Sequence, residues 1–198
     1  SFKDIRSWDK GTNLYGFTVM PAGVWIQRRV FDDTDDPNGY IKWDYFDKGS
    51  ETYFWTSSER HFEYANAVRF YEYDVVNLLY ADKNNGYSLR CVRDVEPGRV
   101  YSQDSSAYSD FDENAAKLVD PRDSSEYRVT AVGPQFWLAR NVDIEPEVGE
   151  SSCYGDSTEN CKIYGKLYDW EAAQSVCPPG THLPSSDEWN SMRQYLEN

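Results

Sequence analysis

Apolar runs are short and turn signals dense over residues 1–94. Lys10-Gly11-Thr12-Asn13, Pro37-Asn38-Gly39 and Asn84-Asn85-Gly86 interrupt them, the pattern of strands joined by long loops. Between positions 62 and 73, Phe62, Tyr64, Val68 and Phe70 share one parity, which predicts a half-buried strand. Asn84-Asn85-Gly86 then suits a tight hairpin turn, with residues 87–93 as its returning strand. Residues 95–119 turn polar and acidic, with Pro97-Gly98, Ser105-Ser106, Asp110, Asp112 and Glu113, the composition of a linker or exposed arm. Beyond it, 126–132 and 135–141 read as strands divided by Gly133-Pro134, and 167–176 as a helix ended by Cys177-Pro178-Pro179-Gly180, because proline cannot continue the hydrogen-bond ladder. Ser185 and Glu188 have capping-box spacing and open a second helix. Its stripe of Trp189, Met192, Tyr195 and Leu196 faces a core.

Composition sharpens this picture. Sixteen Tyr, nine Phe and seven Trp in 198 residues favour short twisted strands and aromatic-rich loops over a helical bundle. A net charge of -14 repels phosphate backbones and anionic headgroups, so nucleic acid is not an expected partner. The charge reads as a solubilising surface, with cation binding as the alternative. The four cysteines, Cys91, Cys153, Cys161 and Cys177, are even in number and contain no Cys-x-x-Cys pair, which points to two disulfides and an oxidising compartment. No apolar run approaches the roughly 20 residues of a membrane helix, so no membrane insertion is expected. Because the chain begins with Ser1, it reads as a processed or excised piece of a secreted or bacterial cell-surface protein.

Three runs then carry a family resemblance. They are Tyr127-Arg128-Val129-Thr130-Ala131-Val132-Gly133-Pro134-Gln135-Phe136-Trp137-Leu138-Ala139-Arg140-Asn141, Tyr164-Gly165-Lys166-Leu167-Tyr168-Asp169-Trp170, and Cys177-Pro178-Pro179-Gly180-Thr181-His182-Leu183-Pro184 followed by Glu188-Trp189. Together they resemble the opening of the Fibrobacter succinogenes major paralogous domain, a family similar in turn to the C-type-lectin-like superfamily. Asn13-Leu14-Tyr15-Gly16-Phe17, Phe54-Trp55-Thr56-Ser57-Ser58-Glu59 and Gly86-Tyr87-Ser88-Leu89-Arg90-Cys91-Val92-Arg93-Asp94 are similar to the family's closing half, yet they come first. The resemblance therefore implies an α+β, C-type-lectin-like fold with two helices, short antiparallel sheets and long loops. Its halves stand in swapped order: residues 1–94 the closing half, 95–119 the linker or arm, 120–198 the opening half. It also implies that Cys177 pairs with Cys91, leaving the near neighbours Cys153 and Cys161 to close their own small loop. Three arrangements would unite the halves: a circular permutant closing on itself, one period of a tandem array, or neighbouring copies exchanging halves head to tail. An array or filament is the leading expectation.

Candidate chemistry is sparse. His61 and His182 are the only histidines, Ser57 and Ser58 lack a nucleophile elbow, and the cysteines are committed to bridges, so no catalytic activity is expected. Asp32, Asp33, Asp35, Asp36 and Asn38 gather oxygens in one turn, which suggests calcium, against the plainer reading of a solvated acidic loop. The sugar-binding calcium motifs of true C-type lectins are absent. The aromatics Trp25, Tyr40, Trp43, Tyr45 and Tyr53, clustered with Asp44 and Glu59, are the ligand-binding candidates, because flat rings stack on sugars and anchor protein interfaces. The expected function is a non-catalytic extracellular structural or adhesive module, a repeat unit of a surface filament or adhesin whose partners are its own copies. A carbohydrate-binding module of a secreted enzyme or surface protein is the alternative.

Overall fold

The structure, a computed structural model, describes residues 16–31, 39–71, 76–94 and 117–197. They form an α+β architecture that is mostly strand, in small antiparallel sheets with a few short helices. The first segment opens with a hairpin, β1 (Val24–Val30) against β2 (Tyr40–Phe46), in register from Val24 opposite Phe46 to Val30 opposite Tyr40. A three-stranded meander follows: β3 (Thr52–Glu59), β4 (Tyr64–Phe70) and β5 (Val76–Asp82), with β4 in the middle.

The single-parity reading of β4 needs correction. Phe62 and Tyr64 are exposed, and Ala65 and Ala67 are as buried as Val68 and Phe70. A central strand can be covered on both faces, and here Ala65 and Ala67 meet one core cluster while Val68 and Phe70 meet another. The expected hairpin after β5 does not form either. Residues 86–88 leave β5 and bridge elsewhere, Gly86 to Trp25, Tyr87 to Tyr168 and Ser88 to Phe54. Leu89, Cys91 and Val92 are wholly buried in the interior, and a return along β5 would not place them there.

The returning chain instead becomes β6 (Val92–Asp94), an edge of a four-stranded sheet otherwise built by the second segment: β7 (Lys117–Val119), β8 (Glu126–Val132) and β9 (Gln135–Leu138), in the order β6-β9-β8-β7. Lys117–Val119, within the stretch read as a linker, is thus a paired strand; residues 95–116 lie outside the described part. After β9 come β10 (Ser151–Ser152), a 3-10 turn (Tyr154–Asp156), α1 (Thr158–Tyr164), β11 (Leu167–Tyr168), α2 (Trp170–Ala173) and α3 (Ser186–Glu197).

The helix expected over 167–176 shrinks to the single turn of α2. Leu167 and Tyr168 pair with β10, Tyr168 also exchanges two backbone hydrogen bonds with Tyr87, and the Asp169 carboxylate caps the turn by accepting from Ala172 N–H. At α3 the capping box closes in both directions: Glu188 N–H donates to Ser185 Oγ at 3.2 Å, and Ser185 N–H to Glu188 Oε2 at 2.6 Å. Trp189 and Met192 are buried, with Tyr195 and Leu196 packed beside them.

Both core clusters draw on both segments. One joins Val24, Trp55 and Leu89 to Tyr127, Leu138 and Tyr168; the other joins Phe17, Phe54 and Phe70 to Trp137 and Trp189. Each large side chain so buried contributes about 2–3 kcal/mol. Polar ties cross the same seam. Trp55 Nε1 donates to the Tyr168 carbonyl at 2.7 Å, and the wholly buried Arg90 donates to the carbonyls of Phe17, Thr18 and Leu138 and to Asn141 Oδ1. Burial, then the charge of Arg140, pushes the Arg90 pKa down to about 9, so it remains a cation at neutral pH. Two disulfides complete the frame: Cys91–Cys177, whose partners stand 86 positions apart, and Cys153–Cys161, 8 apart. No helix among the described residues is long and apolar enough to cross a membrane.

Candidate binding cleft

The alternation of a hairpin decides which aromatics meet. Trp25 lies opposite Tyr45 and Gln27 opposite Trp43, so Trp25, Trp43 and Tyr45 project from one face of β1–β2. The Trp25 and Trp43 rings pack at 4.3 Å between centroids. Trp25 can lie flat because Gly86 stands beneath it: a Cβ there would come within 2.2 Å of the indole, and the two residues exchange backbone hydrogen bonds of 3.0 and 2.6 Å.

Facing these rings is the loop between β9 and α1, and the space between is a cleft of about 490 Å³. Trp25, Trp43 and Tyr45 line one side; Glu145, Pro146, Gly149, Glu150, Ser151, Ser152 and Asp156 line the other. Asp169 holds that second wall to the start of α2, one carboxylate oxygen accepting from Ala172 N–H at 2.8 Å and the other from Glu150 N–H at 2.9 Å. Gly149, at φ +75°, passes so close that a Cβ would fall 2.5 Å from the Ala172 nitrogen.

Tyr45 joins the walls. Its hydroxyl donates to Asp156 Oδ1 at 2.5 Å and lies 2.7 Å from Ser152 Oγ, while its ring packs 5.1 Å from that of Tyr154. Burial first, and then the Asp156 carboxylate, raises the Tyr45 pKa, so the phenol stays neutral at physiological pH. The Cys153–Cys161 bridge pins the turn carrying Tyr154 and Asp156. Glu145 is ion-paired with Lys166, which lies 3.3 Å from Ser151 Oγ. The Trp25 indole N–H, although buried, has no acceptor among the described residues. The cleft therefore sets the half-buried Trp43 and Tyr45 rings beside a rim of carboxylates and hydroxyls, a lining suited to a hydroxyl-rich ligand.

The other candidates do not join it. Tyr40 stands exposed at the far end of β2, on the opposite face. Tyr53 stacks on Tyr87 at 5.0 Å and donates to Glu51 Oε2 at 2.6 Å. Glu59 is ion-paired with Lys83. Asp44, on the hairpin's other face, is held by Arg28 at 2.5 Å and Lys42 at 3.0 Å. The calcium candidates Asp32, Asp33, Asp35, Asp36 and Asn38 lie outside the described residues. His61 packs against Phe62, His182 bonds Glu188, and Ser58 Oγ accepts from Ser186 N–H. The opposite wall went unread in the sequence. Its signal was the density of acids over 143–150, but nothing linear ties that loop to a hairpin about a hundred positions earlier.

Fold and site thus define a disulfide-bridged α+β module with an aromatic, acid-rimmed cleft. Residues 130–198 match the family model of the Fibrobacter succinogenes major domain, so this part of the chain is similar to that family. No curated protein and no solved structure matches the chain.

Proposed function

We propose that the chain is a non-catalytic extracellular binding module of C-type-lectin-like type, with residues 1–94 completing the domain begun at 120–198, and that its cleft holds a neutral carbohydrate. The observation that carries this reading is the gathering of Trp25, Trp43 and Tyr45 on one hairpin face opposite Ser151, Ser152 and Asp156. Flat rings stack on the C–H faces of sugars, and the hydroxyls and carboxylates suit sugar O–H groups. The net charge of -14 and the acidic rim disfavour uronic, sulfated or sialylated glycans. Both disulfides support an extracellular setting. Engagement of all four cysteines in bridges supports a role without thiol chemistry.

A core and a bridge shared by residues on both sides of the linker stretch support the two segments belonging to one domain. Sedimentation of the purified chain should return a single species near 23.0 kDa; a ladder of polymers would favour the head-to-tail arrangement instead. The cleft is tested by calorimetry against a panel of neutral and uronic-acid polysaccharides. A neutral glycan should bind, and Trp43→Ala should weaken it by more than about tenfold, the scale of an aromatic anchor, with an unchanged circular dichroism spectrum. Binding of acidic glycans alone, or an unaffected Trp43→Ala variant, would refute the assignment.

A further inference from the structure

Away from the cleft, three ligand-type side chains converge where the segments join. Asp94 ends β6, His182 lies in the turn after Cys177, and Glu188 is in the first turn of α3; one ligand atom from each lies within 4.8 Å of the others. Separate constraints fix each of the three. β6 is paired with β9, His182 exchanges two 2.9 Å backbone hydrogen bonds with Val92, and the Glu188 carboxylate is oriented because its Oε2 accepts from both Ser185 N–H and Ser185 Oγ. Its other oxygen, Oε1, is thereby turned toward His182 Nε2, at 2.8 Å.

Gln135 Nε2 lies between the carboxylates, 3.1 Å from Asp94 Oδ1 and 2.6 Å from Glu188 Oε1. Among the described residues no Lys or Arg makes an ion pair with either acid. Two carboxylates and an imidazole, held by three elements around one point and lacking a strong cation, form a set that a borderline metal ion satisfies and an all-oxygen cation site does not resemble.

We propose that Asp94, His182 and Glu188 form a zinc site that ties the end of the first segment to the second beside the Cys91–Cys177 bridge. Zinc accepts one imidazole nitrogen and two carboxylate oxygens, leaving a fourth position for water. Alternatively, a half-turn of the Gln135 amide would present its carbonyl oxygen there. The Ser185 hydrogen bonds act as the outer support that orients a ligating carboxylate. The ion displaces the His182–Glu188 hydrogen bond. Occupancy stabilises the seam by mass action.

Titration of the chelator-washed chain with zinc chloride at pH 7.5, followed by calorimetry, should show a site of one ion per chain that raises the unfolding temperature. Asp94→Asn and His182→Ala should each weaken that site by more than about tenfold, while the zinc-free variants keep the parent's near-UV circular dichroism. Cobalt should report the same site through visible d–d bands that His182→Ala abolishes. Glu188→Gln is unsuitable because it also breaks the α3 cap. Absence of saturable zinc binding, or an isotherm unchanged in both variants, would overturn the assignment and leave His182–Glu188 as a plain hydrogen bond.

Discussion

At the scale of single residues, the seam depends on buried polar groups being matched rather than merely present. Asp120 opens the second segment with a fully buried side chain and accepts from Arg122 Nη2 at 2.7 Å and from Arg122 N–H at 2.9 Å; Arg122 also donates to the Val176 carbonyl at 2.7 Å. The Arg122 hydrogen bond lowers the Asp120 pKa below its usual value of 3.8, more than burial raises it. With the folded pKa depressed, the unfolded chain binds more protons over that interval. The contribution is therefore complete above the unfolded value of about 3.9 and disappears as pH falls through the folded one. Asp120→Asn should cost about 2 kcal/mol at pH 7, the worth of a charge-assisted hydrogen bond. In urea titrations from pH 7 to pH 3 the gap between variant and parent should narrow below about pH 4; a gap independent of pH would show that the carboxylate's charge is not what stabilises. Residue chemistry of this kind was only partly legible in the sequence. Trp43 and Tyr45 share parity and so share a face, whereas Tyr40 differs in parity and falls opposite. That Glu59 is held by Lys83, and Tyr53 by Tyr87 and Glu51, follows from contacts no spacing rule encodes.

At the scale of elements, local signals succeeded where local energetics decide and failed where distant pairing does. The capping box and apolar stripe of α3 need only a helix and one core face, and both are visible in twelve consecutive positions. Leu167 and Tyr168 fit a helix pattern, but strand contacts with Ser151, Ser152 and Tyr87 claim them, and the helix is left with Trp170–Ala173. The small disulfide loop is the element that governs the cleft. It holds Tyr154 and Asp156 against Tyr45, and its closure removes about 2.5 kcal/mol of unfolded-state entropy for partners 8 positions apart. The Cys153→Ser, Cys161→Ser double variant should lose about that much stability in urea and keep its core, because none of the loop's own residues 153–161 belongs to either core cluster. If the cleft holds the neutral glycan proposed for it, affinity for that glycan should fall several-fold as Tyr45 loses a fixed partner. Unchanged affinity would mean that the hairpin alone sets the cleft.

At the scale of the whole molecule, the two segments bury their apolar side chains against each other. Phe54 and Phe70 pack on Trp189 across the linker stretch, Trp137 covers Phe17, and β6 occupies the sheet edge that β9 would otherwise leave open. The Cys91–Cys177 bridge spans 86 positions, so its closure constrains the unfolded chain far more than the small loop does, by about 4.6 kcal/mol in the chain-entropy account. Two consequences follow from a shared interior. In the native protein, tryptophan fluorescence and far-UV circular dichroism should trace one coincident urea transition, since Trp25 and Trp55 in the first segment and Trp137 and Trp189 in the second report the same event. The Cys91→Ala, Cys177→Ala double variant should lose about 4–5 kcal/mol, roughly twice the loss from opening the small loop, while its transition remains single. Two separated transitions in the parent, or a long-range variant no weaker than the short-range one, would mean that each segment carries its own core. The buried Arg90, donating to Phe17 and Thr18 on one side of the seam and to Leu138 and Asn141 on the other, would then lack the interior that holds it.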